Sequence, residues 1–521
     1  MLVIKDLSIY LSKDLRVLLE DFNFSLQPGQ KVAVIGEEGN GKSTLLKAIA
    51  EPESLRGYAE VRGEIISDQE IIGYLPQVLT PERLMTDTET FLNKRVNWDH
   101  FDYTEFYGTL AELGFPAERI SSEVRLRDLS GGEKIKFQLL CELARRPTLL
   151  LLDEPGNDLD LESLVWLENF IINQKLPIIF VSHDETLLNR CSNTIIHIEQ
   201  LRRKSLPQYT IAGVGYADYV ERREAMIIRQ TRLANKEKAE FEAKMERYRR
   251  VYERVQHELR SVSRQDPQTA RNLKDKMHSV KSMGRRFARE KENMTERPDV
   301  EAGIMADFGD IEPLPNNRPI LRLQLKRLEV GDLLLSRDLQ LDVTGPEKVA
   351  LIGANGSGKT TLLRLIRREL TENGIRHAYM PQEYSERLDP EQNAIDFLTL
   401  PERRGRKDAL TRVRTYLGSL KFTEEEMFHP VLELSGGQRA KLYFAKLLLD
   451  RPQVMLLDEP TRNLSPLSAP EIRAALHTYA GCIICVTHDR MLLRTIFDRV
   501  LRLTESGLAD VTSDWKTETE I

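Results

Sequence analysis

"GEEGNGKST" occupies residues 36–44, and "GANGSGKTT" occupies residues 353–361. Each follows a strand-like apolar run, "KVAVI" or "KVALI", and precedes a helical one, "LLKAIA" or "LLRLIR". A G-x-x-x-x-G-K-[ST] segment between strand and helix is a phosphate cradle. Its glycines let backbone N–H groups close around phosphate oxygens at a helix N-terminus. The first cradle takes in Gly36, Gly39, Asn40, Gly41 and Thr44; the second takes in Gly353, Gly356, Ser357, Gly358 and Thr361. Lys42 and Lys359 are expected to reach the β- and γ-phosphates, and Ser43 and Thr360 to hold Mg²⁺.

Working outward, the rest of the chain repeats as well. "YLPQ" (74–77) returns as "YMPQ" (379–382), "LSGGE" (129–133) as "LSGGQ" (434–438), "LLLLDEP" (149–155) as "VMLLDEP" (454–460), and "VSHD" (181–184) as "VTHD" (486–489). Gln77 to Gln382, Ser130 to Ser435, Asp153 to Asp458 and His183 to His488 are all separated by 305 residues. Only the lysines, Lys42 and Lys359, differ, at 317. The first copy therefore holds twelve extra residues between lysine and glutamine. Two homologous α/β domains follow, 1–213 and 319–521, with a non-repeated stretch, 214–318, between them.

Each apolar strand ends in Asp-Glu. Asp153 and Asp458 are placed to coordinate Mg²⁺ directly or through water, and Glu154 and Glu459 to polarise an attacking water.

This set of motifs resembles the ATP-binding cassette superfamily: "LSGG" 23 residues before the aspartate, "PQ" between loop and signature, and a histidine 30 residues after. In that family two cassettes close head to tail, each ATP lying between one phosphate loop and the opposite signature. The resemblance implies one site built from Gly41, Lys42, Ser43, Gln77, Asp153, Glu154 and His183 with Ser435, Gly436 and Gly437. The other would join Gly358, Lys359, Thr360, Gln382, Asp458, Glu459 and His488 to Ser130, Gly131 and Gly132. Gln77 and Gln382 join the metal and water set on the same ground. The first copy continues "GNDLD" with Asp160 in place, whereas the second reads "TRNLS", with Ser465 where the family places an aspartate. Unequal hydrolysis at the two sites is therefore an expectation. Tyr10 is a candidate to stack on adenine, and equally a plain strand tyrosine; "LEVGDLLLSRDL" offers no aromatic for the second site.

The stretch between the copies is helical in pattern. Phe241, Met245, Tyr248, Tyr252, Val255 and Leu259 recur at steps of four and three. "SVSRQDPQT" (261–269) interrupts them, and Leu273, Met277, Val280, Gly284 and Phe287 resume the spacing. Two helices joined by a short turn predict an antiparallel hairpin. Residues 221–297 carry 22 basic and 13 acidic side chains, although the whole chain is at −6. The returning helix presents Arg271, Lys274, Lys276, Lys281, Arg285, Arg286 and Arg289 with little acidic company, which favours a polyanion.

Twin cassettes with a charged helical linker resemble the ABC-F family. That resemblance implies ATP-gated binding to the ribosome, the linker meeting ribosomal RNA or tRNA, in a translation factor or an antibiotic-protection factor. The glutamine-to-signature interval is 53 residues in both copies, so a tRNA-contacting insertion is not expected in the first. The other function weighed is the ATPase subunit of a transporter with separate membrane subunits; a long basic hairpin is no part of that design. DNA-repair relatives would bring zinc cysteines or a longer coiled coil within one cassette, and neither is present. No apolar run is long enough to span a bilayer. Cys141, Cys191, Cys482 and Cys485 show no disulfide or zinc pattern, so a reducing cytoplasm is expected; the resemblance implies a monomer whose two cassettes pair within the chain.

Overall fold

The computed structural model describes residues 2–67, 70–96, 101–157, 159–201, 205–261, 267–298, 314–331, 333–384, 389, 391–399, 407–420, 422–462 and 464–517. Contacts divide the chain into two units. One is Met1–Tyr216 with Glu301–Ile521; the other is Ala217–Val300.

The first unit contains both repeats, each an α/β cassette. The first has β1 (Val3–Leu11), β2 (Val17–Ser25), β3 (Lys31–Ile35), β4 (Ala59–Ile66), β5 (Ile72–Leu75), β6 (Leu149–Asp153), β7 (Ile178–Val181), β8 (Thr194–Gln200) and β9 (Leu206–Ala212). The second has β10 (Arg318–Val330), β11 (Leu333–Gly345), β12 (Lys348–Ile352), β13 (His377–Met380), β14 (Val454–Asp458), β15 (Cys482–Val486), β16 (Arg499–Thr504) and β17 (Gly507–Asp510). Their main sheets have equivalent orders, β5-β6-β7-β3-β8-β9 and β13-β14-β15-β12-β16-β17, parallel except at the last pair. "KVAVI", "LLLLD" and "IIFV" are buried throughout, as strands covered on both faces must be. Cys482 and Cys485 lie in β15 as buried thiols, part of this core.

Register sets the site. Asp153 pairs with Val181, and Val181 with Val34, so three strands end level at the carboxyl edge of the sheet. Asp458, Val486 and Leu351 repeat this. The phosphate loop, the Asp-Glu pair and the histidine therefore emerge side by side, where ligands of parallel sheets bind.

The twelve-residue difference has a structural cause. In the first cassette β4 fills the interval and pairs with β1 to give a three-stranded sheet, β2-β1-β4. In the second, the helix Lys359–Glu372 leads almost directly into β13, and β10 and β11 pair as two strands.

In the other unit, helices Tyr216–Ser261 and Pro267–Glu292 pack antiparallel. Phe287 meets Phe241 and Tyr248 edge-on at 6.5 and 5.7 Å, Lys244 pairs with Glu290, and the Thr295 N–H donates to Glu237 at 2.7 Å. Val255, Leu273 and Val280 are buried on the predicted seam. The interruption between the helices, 262–266, lies outside the described residues. Among the described residues, no helix is long and apolar enough to cross a membrane.

Candidate functional site

Both phosphate loops enter their helices through a glycine with φ of 97°, Gly41 and Gly358. A Cβ on Gly41 would lie 3.0 Å from Leu18, and one on Gly358 would lie 2.8 Å from Leu335, so conformation and space both exclude a side chain. Lys42 Nζ donates to the carbonyls of Gly36 and Glu37 at 2.9 and 3.0 Å; Lys359 donates to those of Gly353 and Ala354 at 2.8 and 2.9 Å. Each ammonium is held at the mouth of its own loop. Asn40 turns away, its amide bonded to the Ile198 carbonyl at 2.9 Å, so it braces the loop against β8. Thr44 is buried beneath the first loop, and Thr361 faces a cavity at the second.

"LSGG" has its own physical logic. Ser130 and Ser435 cap the helices Gly131–Leu143 and Gly436–Asp450, accepting from the N–H of Glu133 and Gln438, whose side chains reach back to the caps. The N–H groups of the two glycines are left pointing outward, an anion site at a positive helix end.

What meets those groups differs between the sites. At the first, Gly436 N–H donates to Glu38 Oε1 at 3.1 Å, and Gly437 N–H donates to Oε2 of the same carboxylate. Glu37, its neighbour, accepts from Lys441 at 2.8 Å and from Ser468 at 2.7 Å, both in the opposite cassette. Two acids of the first phosphate loop thus span the interface, and Glu38 fills the signature's anion site. At the second, the loop residues at these positions are Ala354 and Asn355, and a cavity of about 650 Å³ remains. It brings Gly358, Lys359, Thr360, Gln382, Asp458, Glu459 and His488 together with Gly131 of the opposite signature. Ser130 and Gly132 flank Gly131 at the start of that helix. Val330, Leu333 and Leu335 supply an apolar wall beside the loop. Tyr10 lies on β1 with the Arg62 guanidinium over its ring, 5.0 Å from the centroid.

The two glutamates also diverge. Both have φ of 51°, a left-handed backbone rare outside glycine, fixed by an N–H bond to Val181 or Val486. Glu154 accepts from Gln77 at 2.7 Å and Asn157 at 2.5 Å, and lies 3.2 Å from His183 Nε2. Burial pushes this carboxyl up, but His183, Lys42 and Asn157 outweigh it and hold it at about 2. His183 Nδ1 lies 2.8 Å from the Leu464 carbonyl of the other cassette, so only a ring carrying both protons donates to both partners. At the second site burial dominates Glu459, opposed by the His488 N–H and reinforced by Asp458, and the carboxyl rises to about 8. Burial and Lys359 hold His488 down at about 4. Asn157, Leu464 and the two loop acids lie outside what the motifs single out. Only the acids leave a sequence signal, as carboxylates within a phosphate cradle.

Asp153 is buried and pushed up to about 6 by that burial, with the Ser43 hydroxyl 2.9 Å away. A dry carboxylate beside a hydroxyl suits a hard cation. Among the described residues no three ionisable ligands cluster.

A family model described as ABC transporter matches residues 19–157 and 336–462. The chain belongs to the ATP-binding cassette family, in its ABC-F branch. The probable ATP-binding protein YheS of Escherichia coli is 29% identical over 524 residues, covering 94% of this chain and 77% of that one. The tylosin resistance ATP-binding protein of Streptomyces fradiae is 29% identical over 540 residues, covering 92% and 93%. Mouse ATP-binding cassette sub-family F member 3 is 29% identical over 530 residues, covering 92% and 68%. An archaeal ribosome recycling factor, crystallised with a ribosomal stalk protein, shares the fold of this ABC-F chain. Its TM-score is 0.59 at 16% identity, over 97% of this chain and 90% of that one.

Two outcomes follow from the geometry. Glu38→Asn, which gives the first loop the residue of the second, is expected to tighten ATP at the first site about tenfold, as stoichiometric titration would read. Glu459, taken up above its ordinary 4.5, keeps in the folded state a proton that the unfolded chain releases. Stability therefore falls as pH rises from 4.5 towards 8. Glu154, held below 4.5, stabilises above that pH and loses the contribution as pH falls towards 2. Glu459→Gln is thus expected to raise the melting temperature at pH 8 by about 2–4 °C, less at pH 5. Glu154→Gln is expected to lower it at pH 8.

Proposed function

We propose that this chain is a Mg²⁺-dependent ATPase that traps ATP between its cassettes and lodges its basic hairpin in ribosomal RNA while nucleotide is bound. The observation that carries the reading is the returning helix. Arg271, Lys274, Lys276, Lys281, Arg285, Arg286 and Arg289 are all exposed, and none is ion-paired with another described residue. A surface groove of about 950 Å³ on the hairpin is lined by Tyr248 and Tyr252 beside Arg249, Lys281 and Arg285. Phosphate contacts give salt-sensitive affinity without sequence preference, and aromatic faces beside them accept unstacked bases. The recycling factor that shares the fold is named for the ribosome, and one relative is named for resistance to tylosin.

In this reading Lys42 and Lys359 move from the loop carbonyls onto phosphate oxygens. The glycine N–H groups of each signature donate to the γ-phosphate of the opposite site, so binding closes the pair and hydrolysis loosens it. Ser43 with Asp153, and Thr360 with Asp458, would hold Mg²⁺, with Gln77 and Gln382 beside them; the ion neutralises charge on the phosphates. Glu154 and Glu459 orient the attacking water, and His183 and His488 fix the carboxylate and the phosphate.

The sites should turn over unequally. At the second, Asp160 from the first cassette accepts from the Asn355 backbone, and Glu459 has the affinity for protons suited to a base near neutral pH. At the first, ATP must displace Glu38, and Glu154 is a weak base.

Glu459→Gln is expected to lower steady-state hydrolysis about a hundredfold, and Glu154→Gln by no more than about tenfold. With both changes, ATP should hold the protein in the ribosomal fraction on sedimentation. Arg285→Glu, Arg286→Glu and Arg289→Glu together should release it in moderate salt while sparing ATP binding. A doubly substituted protein that never sediments with ribosomes overturns the reading.

A further inference from the structure

Beside the nucleotide sites, the cassettes touch through two ion pairs related by the internal repeat. Glu168, on the helix Leu161–Asn173, corresponds at the 305-residue offset to Arg473, on the helix Ala469–Thr478. Glu185, on the helix Glu185–Cys191, corresponds to Arg490, on the helix Arg490–Thr495. The pairs cross over. Arg490 donates to Glu168 and, at 3.1 Å, to Asp184. Arg473 donates to both oxygens of Glu185, at 2.5 and 3.0 Å. One contact is therefore made twice about a pseudo-twofold axis, with both acids on the first cassette and both arginines on the second.

These are not surface pairs. The Glu168 and Arg490 side chains are 0% and 6% exposed, and Glu185 and Arg473 are 11% and 13%. A buried charge that loses its partner costs far more than the pair contributes to stability, so such pairs discriminate between partners better than they stabilise.

We propose that Glu168, Glu185, Arg473 and Arg490 form a charge code that lets the first cassette pair only with the second, excluding first–first and second–second pairing between two copies of this chain. Twofold pairing of two first cassettes would set Glu168 against Glu185 at both contacts. Twofold pairing of two second cassettes would set Arg473 against Arg490. The signature glycines are alike in the two cassettes and impose no such choice by themselves. At these four positions the asymmetry is one of paired opposite charges, and it does not depend on what the hairpin binds.

The pair to test is Glu185 with Arg473. Glu168 also accepts from Arg190 within its own cassette, at 2.8 Å, so reversing it would disturb the first domain itself. Around Glu185 and Arg473 the other charged groups are Asp184 and Asp489, which tolerate an arginine in place of Glu185.

The full chain, labelled once on each cassette, is brought to a closed state with a non-hydrolysable ATP analogue, and label separation and solution mass are measured together. The parent is expected to be closed and monomeric. Glu185→Arg sets arginine against Arg473, and the closed monomer should fall about tenfold. The first cassette of that variant keeps Glu168 and carries a positive charge where Glu185 stood, so it matches itself and dimers should appear. Adding Arg473→Glu restores the crossed pair, and the tether, worth an effective concentration of about millimolar, should return the closed monomer. The proposal is overturned if Glu185→Arg leaves the closed monomer intact, or opens it without dimers. It is equally overturned if a folded double variant, with the parent's melting temperature, stays open.

Discussion

Unpaired N–H groups at the start of four helices govern this molecule. A helix cannot satisfy its first four donors from within, and the structure aims two such ends at each site: one from a phosphate loop, one from the opposite signature. Glycines at 41 and 358 clear the first pair of ends, and the capping boxes of Ser130 and Ser435 use some donors while leaving the glycine N–H groups outward. Two positive ends facing one another need an anion between them. In the first site Glu38 is that anion; in the second there is a cavity. The parallel sheet serves this arrangement, since level strand ends bring the loop, the carboxylates and the histidine to one edge.

Near-identical motifs give unlike sites because electrostatics depends on the neighbours. Glu154 and Glu459 share backbone conformation and strand position, yet one is held at about 2 and the other raised to about 8. The difference is traced to single residues. At Glu154 the His183 ring, then Lys42 and Asn157, outweigh burial; at Glu459 burial, reinforced by Asp458, outweighs the His488 N–H, Lys359 and Arg462. A motif gives the identity of a group, and its protonation is set by who else is buried beside it.

The fold was largely legible because its signals are local. Equal offsets revealed the duplication, continuous apolar runs revealed the parallel strands, and steps of three and four revealed the hairpin. The contacts that were not legible are long-range. Glu38 reads as one residue of a loop until it meets amides about four hundred positions away, and His183 gives no hint of the Leu464 carbonyl. The twelve extra residues announced an insertion, but only the β1–β4 pairing shows that they add a strand. Val330, Leu333 and Leu335 hold no aromatic to mark them as a wall of the cavity; the exposure of Val330 and Leu333 beside the loop is a property of the folded hairpin β10–β11.

The helical unit distributes its charge differently. Its packing rests on Phe241, Tyr248 and Phe287 and on the buried seam of Val255, Leu273 and Val280, with Lys244–Glu290 across the helices. None of the seven exposed cations contributes to that packing. Seven like charges on one helix repel one another and destabilise it by roughly a few tenths of a kcal/mol for each close pair. A solvated coiled-coil face would remove that cost with interleaved acids, as Lys238–Glu242 and Arg250–Glu246 do on the outgoing helix. The returning helix does not. Its seven cations are therefore left without ion pairs among the described residues of the hairpin, and solvent carries the charge that the packing does not need.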